Sequence, residues 1–505
     1  MMEARRASRV FVLYGEPVSY DTESGSLASL ERMAGGRIKG DAWDGYIDFS
    51  EPEDPDTAKM VNSGNTGVGE ISYDSGLRFS RSVGKSSMEI AMLSENRIPG
   101  IADAVLFPRE NEAAGMMRNL RGLGIRASIY GGGTSVTGGL SPGSGKHFVS
   151  IDVSHLKSFS MHGRIAVVGG GMTGFDAESE AEKLGLTLGF FPESFMHSTV
   201  GGWVSSMASG QESNRYGDIE DIVLGVELVR SDGTITDPVT PRSSTGITAR
   251  SIALGSEGRN GIISKVYMKT SRKPARRKHA SFIYRSFHDA IDSLSELESF
   301  PDVLRVSDSL ETELALSEAG NGLLKRVLER YLNLRGFSKG CIAIVIDSGD
   351  SYRQIDDRAA RIVSAPAKIW ERTRYERPLI ANLLWKSGLV VDTLETSVSW
   401  EKANDLYEGV NSEFREILSS EGISGIIMSH MSHQYREGCC LYFTFILNTA
   451  KRTEHLKLAR DRIVSSFLRN GGSISHHHGI GTQLSGYIDS THRSLMNILA
   501  DPVLL

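Results

Sequence analysis

The run Tyr130-Gly-Gly-Gly-Thr-Ser-Val-Thr-Gly-Gly139 sets the tightest limit on what this chain can fold into. It follows a strand-like stretch at 125–129 and presents backbone amides with no side chains in the way. Glycine permits positive φ and close approach, so successive N–H groups can converge on one anion. Thr134 and Ser135 add hydroxyl donors. A loop of this kind suits a pyrophosphate, which makes a nucleotide cofactor the leading expectation. A flexible glycine turn is the competing one.

A chain of 505 residues is too long for one ordinary core, so two or more domains are expected. With 40% hydrophobic and 23% charged residues it reads as globular, and a net charge of -6 gives no reason to expect nucleic acid. No apolar run has the length of a membrane span, and the first residues lack the apolar core of a secretion signal. Three cysteines, two of them adjacent (Cys439 and Cys440), make no disulfide framework, so a reducing cytoplasm is expected. Peripheral membrane contact and a homodimer are compatible with this composition.

Residues 1–95 are rich in Gly, Ser and Asp and read as an irregular extension, pinned to the rest by Trp43, Tyr46 and Phe49. Beyond residue 102 the pattern is regular. Val105-Leu-Phe107 reads as a strand, 112–123 as a helix ended by Gly124, and 126–130 as a strand entering the glycine loop. Strands follow at 148–153 and 165–168, and 226–230 with 234–236 form a hairpin around Ser231-Asp-Gly233. The basic stretch Arg272-Lys-Pro-Ala-Arg-Arg-Lys278 marks a boundary between a first domain, 96–275, and a second, 276–505. Helix and strand candidates alternate in the second at 290–297, 311–332, 341–347, 354–363, 400–418, 423–428, 441–447 and 456–469. This order predicts two α+β domains.

Three further motifs compete for the chemistry. Gly169-Gly-Gly171-Met-Thr-Gly174 satisfies the dinucleotide fingerprint, with Glu193 downstream, but its strand is short and the acid does not end a strand. Gly84-Lys85-Ser86 resembles the tail of a P-loop, yet Phe79 occupies the position of the first glycine, so it fails. Ser475-His-His-His478 would, if extended, put His476 and His478 on one face and His477 on the other. His430 and His433 could join them around a metal, but no ligand spacing is recognisable, so no metal is expected. Acid–base or anion-binding histidines fit better, and ordinary surface histidines remain an alternative.

Several motifs then occur in order: Pro192-Glu-Ser194, Ser198-Thr-Val-Gly-Gly-Trp203, Ala208-Ser-Gly210, Arg215-Tyr-Gly217 with Asp221, and Gly255-Ser-Glu-Gly258 with Gly261-Ile-Ile263. This set resembles the FAD domain of the vanillyl-alcohol-oxidase/p-cresol-methylhydroxylase (PCMH) flavoproteins. Leu394-Glu-Thr-Ser397 extends the resemblance, and Leu441-Tyr-Phe443 and Gly471-Gly-Ser-Ile-Ser-His-His-His-Gly479 are similar to the branch that holds the alkyldihydroxyacetonephosphate synthases. The resemblance implies an α+β fold: a two-subdomain PCMH-type FAD-binding domain, then an α+β substrate (cap) domain with an antiparallel sheet. The C-terminal segment would complete the flavin site.

The resemblance also assigns residues. Gly131, Gly132, Gly133, Thr134, Ser135 and Val136 would hold the diphosphate of FAD, and the 165–185 segment becomes scaffold. Pro192, Glu193, Ser194, Ser198, Ser205, Ser206, Ala208, Glu257, Gly258, Gly261, Ile262 and Ile263 would contact the rest of the cofactor. Members that bond flavin covalently use a histidine or cysteine near these loops; the glycine loop has none, so dissociable FAD is expected, although His197 lies close by. The implied reaction exchanges the acyl group of acyl-dihydroxyacetone phosphate for a fatty alcohol, without net redox change. Tyr442 matches the family's catalytic tyrosine, and His476, His477 and His478 its histidine triplet, which would supply the positive charge a phenol base needs. Arg305 matches an arginine of the same branch; by sequence alone it reads equally as a surface salt bridge.

One departure bears on the substrate. Ala381 falls where the synthases carry a substrate-binding arginine, with Arg377 one helical turn earlier, and His430 stands where animal synthases carry another arginine. Arg377 and His430 are therefore the substrate-binding candidates. The competing activity is oxidation of a small 2-hydroxy acid such as D-lactate or glycolate with FAD; a flavin-binding protein without turnover is the third reading.

Overall fold

The computed structural model describes residues 8–13, 34–35, 38–49, 61, 66–140, 147–318, 336–337, 339–355 and 358–504. Three sheets organise them. In the first, Val105–Leu106, Val149–Asp152 and Ala127–Tyr130 run parallel, with Ile71–Ser72 antiparallel at the edge. The helix Ala113–Leu123 covers this sheet because Ala113, Met116, Met117 and Leu120 recur at helical spacing and are fully buried. Gly124, at φ 67°, ends it as expected. The glycine run leaves the carboxyl end of Ala127–Tyr130, where parallel sheets bind ligands.

The second sheet is antiparallel, in the order Gly233–Thr236, Val223–Arg230, Ile262–Lys269, Ile165–Gly169 and Phe159–His162. The expected hairpin is present, with Arg230 opposite Gly233. Glycines of the rival fingerprint serve packing. A Cβ on Gly170 would lie 1.8 Å from the Ile263 carbonyl oxygen, and one on Gly171 1.7 Å from that of Val153.

The third sheet has seven antiparallel strands: Ala359–Ile362, Lys278–Tyr284, Cys341–Asp347, Val303–Ser307, Ser424–Gln434, Gly438–Asn448 and Val390–Ser399. Helices Phe287–Ser295, Trp400–Glu421 and Arg452–Arg469 pack on one face. Along Gly438–Asn448, Cys439, Leu441, Phe443 and Phe445 enter the core under these helices. Period-2 geometry turns Tyr442 and Thr444 to the opposite face, where both line a cavity.

Several expectations need correction. Residues 1–95 are not simply irregular: Ser8–Phe11 pairs with Tyr46–Phe49, and Ser75–Ser80 and Ser87–Ser94 are helices. Ser87–Ser94 carries a capping box between Ser86 and Glu89, which explains the P-loop-like Gly84-Lys85-Ser86. Trp43 does tether its segment, its backbone N–H donating to the Lys386 carbonyl. The helix expected from 311 begins at Ser309 and is described to Glu318; the rest of that stretch lies outside the described residues. Helices Ala365–Thr373 and Arg377–Ser387 and strand Val390–Ser399 went unread. The chain also ends in the first unit rather than the second: Leu504 bridges to Ala127, and Asp501 accepts from the Ser231 N–H at 2.7 Å.

Candidate active site

The parallel sheet, the antiparallel sheet and the seven-stranded sheet enclose one cavity of about 910 Å³. Its first wall is backbone and small residues. Residues 131–136 line it together with Pro192, Glu193, Ser194, Ser198, Ser205, Ser206, Ala208, Glu257, Gly258, Gly261 and Ile263. Ile262 does not: it is fully buried in the core beneath the parallel sheet, because neighbours along a strand point to opposite faces. The glycines are required by contact. A Cβ on Gly132 would meet the His197 carbonyl oxygen at 2.1 Å, and one on Gly131 the Thr199 hydroxyl at 2.6 Å. Such a cradle fits a long cofactor laid along main chain, with amides to offset its phosphates.

A second carboxylate fixes the far end of this wall. Glu257, with φ 47°, accepts from the N–H groups of Ile480 at 2.8 Å and Gly481 at 3.0 Å. The segment after the histidine triplet is thereby clamped onto the loop that carries Glu257.

The opposite wall is the seven-stranded sheet. Its register places Ser307 opposite His430, His430 opposite Tyr442, and Tyr442 opposite Glu395, one row across four strands. His430 stacks on Tyr442 with ring centroids 4.3 Å apart. Three residues beyond His430, His433 would face away in an unbroken strand. A β-bulge between Ser432 and Gln434 and a φ of 49° turn it back. His433 Nε2 then lies 2.8 Å from the Tyr442 hydroxyl, and its Nδ1 2.7 Å from the Ser213 hydroxyl.

Glu395 organises the triplet. It is buried, and its carboxylate accepts from the N–H groups of His476, His477 and His478 and from the Ser475 hydroxyl. Three successive amides on one carboxylate fold the segment into a nest, which removes the alternating faces of an extended strand. His477 and His478 both reach the Tyr442 ring, at 5.6 and 6.3 Å between centroids. His476 stands behind them against Tyr435, at 2.7 Å from its hydroxyl, and does not line the cavity. Burial raises the Glu395 pKa, but His478, His476, the Ser475 hydroxyl and the amides outweigh it and hold the carboxyl below its usual range.

The expectation that the triplet supplies positive charge to Tyr442 is not met at His477. Burial, followed by repulsion from neighbouring imidazoles, keeps His477 and His433 well below the usual histidine value. Burial, with Cys440 and Glu395 adding to it, pushes the Tyr442 phenol well above 10, and Arg305 opposes that rise. Glu395, Cys440, His476 and His477 bring one ligand-type atom each within 4.8 Å of one another. The Glu395 oxygens are already taken by N–H and O–H donors, and burial holds Cys440 as a thiol.

Arg305 is no surface residue. It is 8% exposed and pairs with Glu311 at 2.5 Å, while His430 Nδ1 lies 3.4 Å from the other Glu311 oxygen. Asp308, beneath them, is pushed up to about 7, mainly by burial. Arg377 opens the helix Arg377–Ser387, but its side chain lies outside the described residues; Ala381 on the same helix lines the cavity. Sequence reasoning missed Glu311, Tyr435, Asp218 and Ser213 as parts of this site. No spacing announces them, since each arrives through tertiary packing.

Leu314, Ile369, Trp370, Ile380, Leu384, Trp385, Met428 and Ile446 give the same cavity an apolar share of its lining. No described helix is long and apolar enough to cross a membrane.

Comparison with known proteins agrees with this geometry. The FAD binding domain family matches residues 102–237, and the family of C-terminal domains of FAD linked oxidases matches 273–493. An alkyldihydroxyacetonephosphate synthase of Dictyostelium discoideum is 30% identical over 445 residues, 82% of this chain and 72% of that protein. A solved alkyldihydroxyacetonephosphate synthase shares the fold with a TM-score of 0.79 at 24% identity, covering 95% of this chain and 90% of that one. A mitochondrial D-lactate dehydrogenase of Arabidopsis thaliana is more distant, 22% identical over 78% of this chain and 70% of that protein. The chain thus belongs to the FAD-linked flavoprotein family of the alkyldihydroxyacetonephosphate synthases, and its cofactor is FAD.

Proposed function

We propose that this enzyme exchanges the acyl group of acyl-dihydroxyacetone phosphate for a fatty alcohol. The observation that carries the reading is the apolar share of the cavity lining, to which Ile369, Trp370, Ile380, Leu384 and Ile446 contribute. A small hydroxy acid has no use for it, whereas an alkyl chain gains about 0.8 kcal/mol per methylene buried there.

Residues 96–275, joined by 501–504, serve as the FAD domain and the rest of 276–505 as the cap, with the segment around 476–483 closing the flavin site. Residues 131–136 hold the diphosphate without a covalent flavin bond, and bound FAD supplies the electrophile that the protein itself lacks. Tyr442 takes the proton from C1 of the substrate. His433, held neutral, presents an N–H to the phenol oxygen and stabilises negative charge as it develops there. Arg305 and His430 face the anionic groups of the substrate, and Glu311 holds both in place. The carboxylate leaves as a fatty acid and the alcohol takes its place.

A second reading, oxidation of a 2-hydroxy acid, draws on Ala381, which brings a methyl group where the synthases carry arginine. One experiment separates the two. FAD-loaded protein incubated with hexadecanoyl-dihydroxyacetone phosphate and labelled hexadecanol should release hexadecanoate and form the ether product. Anaerobic bleaching of the flavin by D-lactate or glycolate, with no ether formed, overturns the proposal in favour of the second reading.

A further inference from the structure

Tyr442 is deeply buried, yet a base that accepts a proton must first lose its own. The hydrogen bonds around it give that proton a route. Tyr442 Oη lies 3.4 Å from His477 Nε2, and His477 Nδ1 lies 2.9 Å from His476 Nδ1. His476 Nε2 is 2.7 Å from the Tyr435 hydroxyl, which donates to Asp218 Oδ2 at 2.5 Å. The first link is the longest, as catalytic hydrogen bonds often are before substrate binds.

One end of this chain fixes the direction of all of it. An ionised carboxylate only accepts, so Tyr435 gives its single proton to Asp218 and must accept from His476. His476 then carries its proton on Nε2 and accepts at Nδ1, so His477 donates from Nδ1 and accepts at Nε2 from Tyr442. With its own proton directed at His477, Tyr442 accepts from His433 Nε2, and His433 Nδ1 accepts from Ser213. Every bond points head to tail, from Ser213 to Asp218, and both ends lie on one short segment of the FAD domain. Asp218 Oδ1 is buried with no hydrogen-bond partner among the described residues, so the acceptor has spare capacity. Tyr435 is half-buried and Asp218, where the route ends, is buried.

We propose that His476, Tyr435 and Asp218 form a proton relay that deprotonates and resets Tyr442. This rests on the reading of Tyr442 as the base. As the substrate C–H bond breaks, its proton joins Tyr442 and its electron pair stays on the carbon. The Tyr442 proton passes to His477 Nε2, that of His477 Nδ1 to His476 Nδ1, that of His476 Nε2 to Tyr435, and that of Tyr435 to Asp218. Reprotonation of the carbon runs the chain backwards, so no other reactant is consumed.

The test uses FAD-loaded full-length protein with ¹⁵N-labelled histidine. Nitrogen shifts should place the protons on Nε2 of His476 and Nδ1 of His477, and Asp218→Asn, whose amide can donate to Tyr435, should lose that order. The reverse tautomers in the parent protein, or a stoichiometric metal bound between these rings, overturn the relay whatever the substrate proves to be. In turnover with hexadecanoyl-dihydroxyacetone phosphate, Tyr435→Phe should keep FAD and KM but lower kcat by about 10²-fold. Its proton inventory should change from curved to linear. Tyr435→Phe at full rate beside an inactive Tyr442→Phe sinks the relay alone; a fully active Tyr442→Phe sinks the base assignment as well.

Discussion

The two walls of the cavity are built on different principles. The cofactor wall is main chain: glycines and small residues whose absent side chains let 131–136 pack against 197–199. The sheet wall is side chain: His430, Tyr442 and Glu395 lie in one cross-strand row, and a bulge swings His433 into it. A wall of amides tolerates little added volume, and the amides themselves do not titrate. A wall of imidazoles, phenol and carboxylate tolerates isosteric change structurally but depends on each proton. Substitutions on the two sides should therefore fail in different ways.

The largest effect belongs to the sheet wall. Tyr442→Phe keeps the ring stacked on His430 and removes only the hydroxyl, so FAD content and melting temperature should hold. The turnover number should fall by about 10²- to 10⁴-fold, the usual share of a general base. Stopped assays with the purified yellow protein measure this directly. Loss of FAD in that variant would break the contrast between the walls.

The cofactor wall should show the opposite pattern. In Gly132→Ala the new methyl would stand 2.1 Å from the His197 carbonyl oxygen, a backbone atom with little room to move. Overpacking of this kind costs about 1–3 kcal/mol, and the displaced loop should lower bound FAD by roughly tenfold or more at fixed protein concentration. The ratio of flavin to protein absorbance reads this out. Any FAD still bound should support a nearly normal rate per flavin.

This contrast also explains what could be read from sequence. The cofactor wall was legible because a glycine run is a local signal, and 131–136 line the cavity as expected. The helix 113–123 and the hairpin at Gly233 were legible for the same reason. On the sheet wall the histidines stood out by themselves, but Tyr442 was legible only through the resemblance. Tyr442 sits in an apolar strand, and nothing nearby says that Glu395, 47 residues earlier in the chain, is its direct partner. His433 was named beside His430 as a residue that could join the triplet, but its contact with Tyr442 depends on a bulge that no sequence pattern announces. The conformation of the histidine triplet was left open, because the nest around Glu395 is a tertiary feature.

Acidification should strain the sheet wall before the cofactor wall. His433 and His477 are held neutral in the fold, so below about 6.5 the unfolded chain binds protons that the native state refuses. Stability therefore rises with pH up to that value and is lost below it, by at most about 1.4 kcal/mol per pH unit for each histidine. Glu395, held below its usual range, acts in the same direction lower down: its contribution is present above about 4.3 and is lost as pH falls further. Melting temperature measured from pH 8 to 4 should show the first decline near 6.5. In His433→Asn that decline should be shallower.

The smallest effect tests the substrate side. Ala381, on the helix Arg377–Ser387, lines the same cavity as Arg305 and His430. If acyl-dihydroxyacetone phosphate is the substrate, Ala381→Arg adds a guanidinium where the synthases carry one. A single partly solvated charge-assisted hydrogen bond contributes about 1 kcal/mol, or roughly a fivefold fall in KM with kcat unchanged. The same variant should leave FAD content untouched, because the helix belongs to neither the glycine loop nor the row around Tyr442. A rise in KM would mean that Arg305 and His430 already meet the headgroup and that an extra cation obstructs it. The substitution of arginine by alanine would then be an adjustment of fit within the same chemistry, not a change of substrate.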